Sequence, residues 1–328
     1  MKNTKRLLAS LFTATTLAVA GLTGAVSAAT WPEKPVRILV GFAPGGPTDV
    51  VARILSDQLS KELGQPVIIE NRAGAAGNIA ASQLVKAPAD GYTLLYNTSS
   101  IVIAPWVYKD VGFDPMKDFA PVSLTAAVPL VLVVNAKVEA DSPKALVDML
   151  KASPGKYNYA SSGTGAIEHL TAAHLLSEAG ADAVHVPYKG TAPAQVDLIA
   201  GATQFTTTTL NTAISPVKAG SLRALAITSK TRSHVMPDVP TIAESLNMDF
   251  ESLAWQGIVA PAGTPKEVVD TLNKAINAAL KSDEVAKRLE QQGTLILGGT
   301  ADEYKAYIDS EYKRWGEVVK AAGAGAIQ

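Results

Sequence analysis

Cysteine is absent from the 328 residues of this chain. That excludes a disulfide framework, a thiolate zinc site, a cysteine nucleophile and a lipidated-cysteine anchor. Histidine is scarce, at four residues, so no multi-histidine metal centre and no metal ligand set are expected. Charge of either sign is not in excess: 29 Lys and Arg stand against 30 Asp and Glu. A nucleic-acid partner, which needs a basic face, is therefore not expected. Familiar catalytic signatures are also missing. There is no GxxxxGK[ST] phosphate loop, no HExxH and no GxSxG elbow, since Tyr159 and Ala160 precede Ser161-Ser162-Gly163. Gly163-x-Gly165 carries Glu168 where a dinucleotide fingerprint has its third glycine. With 47% hydrophobic and 18% charged residues, the composition is that of an ordinary globular protein.

What is present begins with a leader. Lys2, Lys5 and Arg6 precede an uncharged run from Leu7 to Gly24, and Ser27-Ala28-Ala29 offers small residues for cleavage. Residues 1–29 read as a secretory signal peptide, the alternative being an uncleaved anchor. No second long apolar run follows, so no membrane span is expected in the mature chain. Cleavage removes three basic residues and no acidic ones, leaving a net charge of −4 over 299 residues. Export takes the protein away from ATP and NAD, so no cofactor is expected.

The rest alternates strand and helix. Val36–Val40, Val67–Glu70 and Tyr92–Tyr96 are strand candidates, with helices predicted over Asp49–Leu63 and Gly77–Lys86 between them. This is the rhythm of βαβ units and a mainly parallel sheet. A second block repeats it, with strands at Val131–Val134, Tyr157–Ala160, Ala183–Pro187, Gln204–Thr209 and Leu222–Thr228. Ser142-Pro143 opens a helix. Thr264–Glu267 and Thr300–Glu303 both fit capping boxes. No Gly/Ser linker divides the blocks, so crossing strands near Ser123–Pro129 and Phe250–Gly257 are expected to join them. Lobe 1 would comprise 30–128 and 250–328, and lobe 2 would comprise 129–249, with a cleft between.

Two strand-to-helix loops are the leading site candidates. The first holds Phe42, Pro44, Gly45, Gly46, Thr48 and Asp49, with Pro47 placed to start a helix whose free N–H groups favour an anion. Asp49 adds negative charge there, so a carboxylate met by neutral donors fits better than a phosphate; Asp49 also suits a plain capping role. The second holds Ser161, Ser162, Gly163 and Thr164. Thr98 and Ser99, after the third strand, add polar groups at the same sheet edge. His169 falls in the first turn of the following helix, facing solvent or the cleft, whereas His174 falls on the apolar face. Tyr188 and Lys189 follow a strand, and Trp255 reads as hinge packing. A Ser/His/Asp triad lacks an elbow to support it.

Many separated blocks then carry a resemblance: WPEKPVRILVGFAPGGPTD, GQPVIIENRAGAAGNIAA, ADGYTLL, YASSGTG, VHVPYKGTAPA, KAGSLRALAIT and PDVPTIAE, in order. From about Trp31 to Gly323 the chain resembles the extracytoplasmic solute receptors of tripartite tricarboxylate transporters, the Bug family. The resemblance implies an α/β, two-lobed periplasmic-binding-protein fold of the type II, Venus-flytrap kind, each lobe a mainly parallel sheet flanked by helices. It implies a periplasmic, non-enzymatic receptor that takes a small mono- or dicarboxylate, aromatic acids included, to a membrane permease. A monomer is expected. An exported serine hydrolase or a ligand-presenting partner of a sensor protein are the alternatives. By the family pattern the two loops, Phe42 to Asp49 and Ser161 to Thr164, grip a carboxylate, partly through waters. Two departures stand out. Gly41 replaces a frequent proline, which is expected to loosen the loop. Thr208 stands near a frequent aspartate, which makes an amino-bearing ligand less expected.

Overall fold

The computed structural model describes residues 31–321, Gly323 and Gly325; the signal peptide expected at 1–29 lies outside the described residues. The chain opens with β1 (Val36–Val40), α1 (Pro47–Leu63), β2 (Val67–Asn71), α2 (Asn78–Val85), β3 (Thr93–Thr98) and α3 (Ser100–Val107). β4 (Phe119–Asn135) leads into α4 (Pro143–Ala152), β5 (Asn158–Ser161), α5 (Ile167–Ala179), β6 (Val184–Pro187) and α6 (Thr191–Ala200). There follow β7 (Phe205–Thr209), α7 (Leu210–Lys218), β8 (Leu222–Ile227) and α8 (Ile242–Leu246). β9 (Leu253–Pro261), α9 (Lys266–Leu280), α10 (Asp283–Glu290), β10 (Leu295–Ile296) and α11 (Ala301–Ala321) complete it.

Local chemistry explains most boundaries. Pro47 starts α1, and Gly64 ends it in a left-handed conformation. Ser142 caps α4 by accepting from the Ala145 amide. The box at Thr300 forms, with the Glu303 amide donating to Thr300 Oγ1 and the Thr300 amide to Glu303 Oε2. The box expected at Thr264 does not. Its hydroxyl donates back to the Pro261 carbonyl (2.8 Å), closing the turn after β9, and α9 starts at Lys266.

The strands join in the order β2-β1-β3-β9-β4-β7-β5-β6, with β8 and β10 also paired to β4. β2, β1 and β3 are parallel, as are β6, β5 and β7. β4 is the join. Residues 119–129 pair antiparallel with β9, and residues 130–135 pair antiparallel with β7 and β8. The strand expected over Val131–Val134 is thus the far end of a 17-residue strand. The chain returns at 251–252: Phe250 packs in the second core, and Leu253 already pairs with Pro129. From Lys34 onward the chain forms a single packed unit.

One core lies under the first sheet half, where α3 and α11 cover Leu39, Leu95, Trp255 and Val259. Two more lie on the faces of the second half, around Leu132 with Phe205 and around Val131 with Leu210. Trp255 is fully buried and packs edge-on against Tyr304 and Tyr307. Its indole N–H donates to Glu311 Oε2 (2.8 Å), which also accepts from Trp315 (3.0 Å) and Arg314 (2.9 Å). Gly257 permits this seating, because a Cβ there would meet the Tyr304 ring and hydroxyl and the Ser123 carbonyl.

Glu311→Ala leaves two buried indole donors without an acceptor. We expect a loss of roughly 2–5 kcal/mol, read as a lowered urea midpoint with unchanged slope; a midpoint equal to wild type would refute this role for Glu311.

Candidate functional site

Strand polarity decides where the loops go. β3 ends at Thr98, which pairs with Gln256, itself paired with Ala126 of β4. β7 ends at Thr209, which pairs with Leu130 of the same strand. The carboxyl ends of the parallel strands in both halves therefore point at one stretch of β4, roughly 13 Å long. Loops at such strand ends are where α/β proteins bind ligands. The two loops chosen from the sequence lie on these converging edges, one from each half. The second loop is tied to the end of α3: the Tyr108 hydroxyl donates to the Thr164 carbonyl (2.8 Å), and Gly165 packs on Val107.

The first loop has an exposed tip, Ala43, Pro44 and Gly45, with Phe42 and Gly46 half-buried. Gly45 takes φ +77, a conformation open to glycine. The first bond of α1 is from the Val50 amide to the Gly46 carbonyl, so the amides of Thr48 and Asp49 lie ahead of the hydrogen-bonded ladder. Asp49 is 1% exposed, and its carboxylate points inward. It accepts from the Gly45 amide (2.8 Å), Arg53 Nε (2.9 Å) and Asn71 Nδ2 (2.8 Å). Burial works against its charge, but these bonds and the Arg53 charge outweigh it and hold the carboxyl below its ordinary range. Asp49 caps none of the α1 amides; it takes up the Gly45 amide ahead of the helix, and its charge is used internally. Gly41 does not loosen the loop: a Cβ there would lie 2.5 Å from Gly77 Cα, so the glycine lets two backbones touch.

The second loop is stitched more densely. Ser161 is buried; its Oγ lies 2.7 Å from His185 Nε2 and accepts from the Gly163 amide (3.2 Å). His169 faces neither solvent nor open cleft. It is 6% exposed, its Nδ1 accepts from the Gly165 amide (3.1 Å), and its ring stacks on His185 at 3.8 Å. The amides of Tyr188 and Gly190 donate to the carbonyls of Ser161 and Ser162, tying β6 to the loop. The Tyr188 hydroxyl is taken by Asp197 (2.7 Å). Ser162, Gly163 and Thr164 are half-exposed and form the accessible part. In the first half, Thr98 Oγ1 donates to Ser100 Oγ (3.0 Å), while Ser99 is buried and its amide bonds to the Trp255 carbonyl. His174 is half-buried against Phe250, and Lys189 is exposed.

Sequence reasoning missed Glu168. It is the second residue of α5 and is 7% exposed, and its carboxylate accepts from Ser162 Oγ (2.7 Å) and Thr191 Oγ1 (3.4 Å). Glu168 and Thr208 line one small cavity. A carboxyl from α5 thus lies at the cavity that Thr208 also lines. His185 is a further histidine beside this loop. It has a serine partner but, among the described residues, no carboxylate behind it, so the geometry lacks the third member of a triad.

Burial pulls His169 down to about 4; burial and the neighbouring His169 pull His185 to about 3. Unfolded, each protonates near 6.5. The unfolded chain therefore binds more protons as pH falls below about 6.5, and stability declines with it. In thermal melts between those limits, we expect the wild-type Tm to fall more steeply with pH than that of His185→Gln. Parallel slopes would refute the buried neutral pair.

The tripartite tricarboxylate transporter family receptor model (TctC) matches residues 51–324. Protein BugT of Bordetella pertussis is 39% identical over 310 residues, covering 94% of this chain and 95% of BugT. Among solved structures, an R. palustris protein with adipate is 36% identical, with a TM-score of 0.85 over 90% of this chain and 100% of that one. MatC from Rhodopseudomonas palustris with bound malate is 31% identical, with a TM-score of 0.79 over 88% and 99%. With the two-halved α/β sheet and its converging loops, these likenesses establish that the chain belongs to the tripartite tricarboxylate transporter receptors of the Bug type, a family of periplasmic solute-binding proteins.

Proposed function

We propose that this receptor captures a small carboxylate between its two lobes and hands it unchanged to a membrane permease of the tripartite type. The observation that carries the reading is the meeting of two loop-and-helix-start edges, one from each half, over the same stretch of β4. Each supplies neutral donors: the α1 amides at Thr48 and Asp49 on one side, and the Thr164 hydroxyl and the start of α5 on the other. The nearby charge of Asp49 is consumed by Arg53 and Asn71, so a free acid meets donors rather than a like charge. Adipate and malate, which the two relatives above hold, each carry two carboxylates.

In this reading, lobe 1 is 30–128 with 250–328 and lobe 2 is 129–249, hinged where β4 and the segment before β9 pass between them. Residues 1–29 direct export and are removed, and the receptor acts as a monomer. Presentation of the ligand to a sensor protein would use the same closed form. Phe42, Pro44, Gly45 and Gly46 approach the ligand from lobe 1, with Thr98 beside them. Ser162, Gly163 and Thr164 approach from lobe 2.

A thermal-shift screen of mono- and dicarboxylates tests this. A ligand at about 100 times its Kd stabilises the bound form by about 2.7 kcal/mol, a Tm rise of roughly 5–10 °C at this size. We expect at least one acid to produce it and to be recovered chemically intact. No shift with any acid would refute the carboxylate reading.

The Ser161–His185 contact invites a hydrolase reading. Ser161 is 1% exposed, and His185 titrates far too low to serve as a base at neutral pH. A fluorophosphonate probe is expected to leave Ser161 unlabelled; stoichiometric labelling there would overturn the non-enzymatic assignment.

A further inference from the structure

One peptide of the second loop, Thr164–Gly165, is held at both edges by side chains from opposite halves of the protein. Its carbonyl accepts from the hydroxyl of Tyr108 (2.8 Å), the residue just past the end of α3. Its amide donates to Nδ1 of His169 (3.1 Å), in the first turn of α5. A peptide unit is planar, with its carbonyl and amide on opposite sides, so two such bonds leave it no freedom to turn about the chain. The torsions on either side, ψ of Thr164 and φ of Gly165, are thereby fixed, the latter at +78.

Both holding side chains are themselves anchored. The His169 ring is buried and stacks on His185 at 3.8 Å, and His185 Nε2 lies 2.7 Å from Ser161 Oγ. A ring nitrogen that accepts carries no proton, so His169 is neutral here, as its burial favours. Burial likewise pushes the Tyr108 phenol up, so it stays a donor. The two halves meet closely at this point. A Cβ on Gly165 would lie 2.7 Å from Val107 Cγ1, and Leu170, next to His169 on α5, is fully buried in the first half's core with Ile103, Val107 and Trp255. Thr164 is half-exposed, and its hydroxyl makes no hydrogen bond among the described residues.

We infer that Tyr108 and His169 are positioning residues of the receptor: they clamp the Thr164–Gly165 peptide in the orientation that aims the Thr164 hydroxyl and the start of α5 at the ligand, and the clamp is complete only while α3 of the first lobe reaches the second. This rests on the carboxylate reading of the same site and names the residues that shape its grip. Neither side chain touches the ligand. With the lobes apart, His169 alone holds the peptide; with the lobes together, Tyr108 adds the second bond. Capture starts from the open form, in which Tyr108 makes no such bond, whereas release must break it. Loss of the Tyr108 hydroxyl therefore acts on release rather than on capture.

The test uses calorimetry and stopped-flow kinetics with adipate, malate, succinate and benzoate as probes, and hydrogen exchange of the Gly165 amide in the ligand-free protein. Tyr108→Phe removes only the hydroxyl. It is expected to weaken binding of whichever probe the wild-type protein takes by about fivefold, through faster dissociation, with association within about twofold of wild type. His169→Leu is expected to weaken binding and to speed exchange at Gly165. His169→Asn, whose side-chain oxygen replaces Nδ1 as acceptor, is expected to restore both. Because the two residues act on one peptide, Tyr108→Phe with His169→Leu is expected to lose less than the product of the single losses. Tyr108→Phe keeps its ring against the loop, so it serves should His169→Leu fold poorly. A wild-type dissociation rate in Tyr108→Phe would overturn the link between lobe contact and grip. Losses in His169→Asn as large as in His169→Leu would overturn the acceptor role of His169. Either result leaves the carboxylate reading intact. Failure of all four probes to bind the wild-type protein would sink the clamp's role in binding together with that reading.

Discussion

The hydrogen-bond polarity of β4 governs the arrangement of this receptor. Seventeen residues in one strand pair antiparallel with β9 over their first part and with β7 and β8 over their last. Because β3 runs antiparallel to β9 and β7 antiparallel to β4, the parallel strands of each half end facing the other half. The loops at those ends have no choice but to meet. A one-residue slip in β4 would turn its side chains to the opposite faces, and the buried run Val128 to Val134 shows how little freedom exists for that. The return crossing is pinned separately. Thr228 Oγ1 donates to the Ser252 carbonyl, and Thr171 pairs with Ser252 Oγ at 2.6 Å.

Around the meeting point, charge is managed by internal pairing. Asp49 stands at the head of α1, where a free carboxylate would repel an anionic ligand, and Arg53 and Asn71 engage it. His169 and His185 stack on one another beneath the second loop and stay uncharged, acting as flat spacers. Glu168 departs from this pattern, as a carboxyl near the loop without a basic partner among the described residues.

Much of the architecture was legible beforehand. The strand at Val36–Val40, the start of α1 at Pro47, the cap at Ser142 and the box at Thr300 are local devices, written in residues a few positions apart. The failure at Thr264 has a local competitor, a turn back to Pro261 that takes the same hydroxyl. The length of β4 was not legible, because Pro121 and Pro129 interrupt the apolar pattern and only the register with β9, bulges included, accommodates them. In the site, the loops were found because glycines, hydroxyls and a helix start are adjacent in the chain. The orientations of Asp49 and His169 were not, since a helix wheel tells which side a residue takes and not what waits there.

The sequence alone determined the alternation of strand and helix, the family and the positions of the two strand-to-helix loops, because each depends on residues close together or on many matched blocks. Only the tertiary structure decided that Asp49 turns inward, that Gly41 is a contact between backbones, and that Glu168 and Thr208, forty residues apart, share one niche. Those outcomes depend on which strands lie side by side, and pairing between distant segments leaves no trace in the residues of either segment taken by itself.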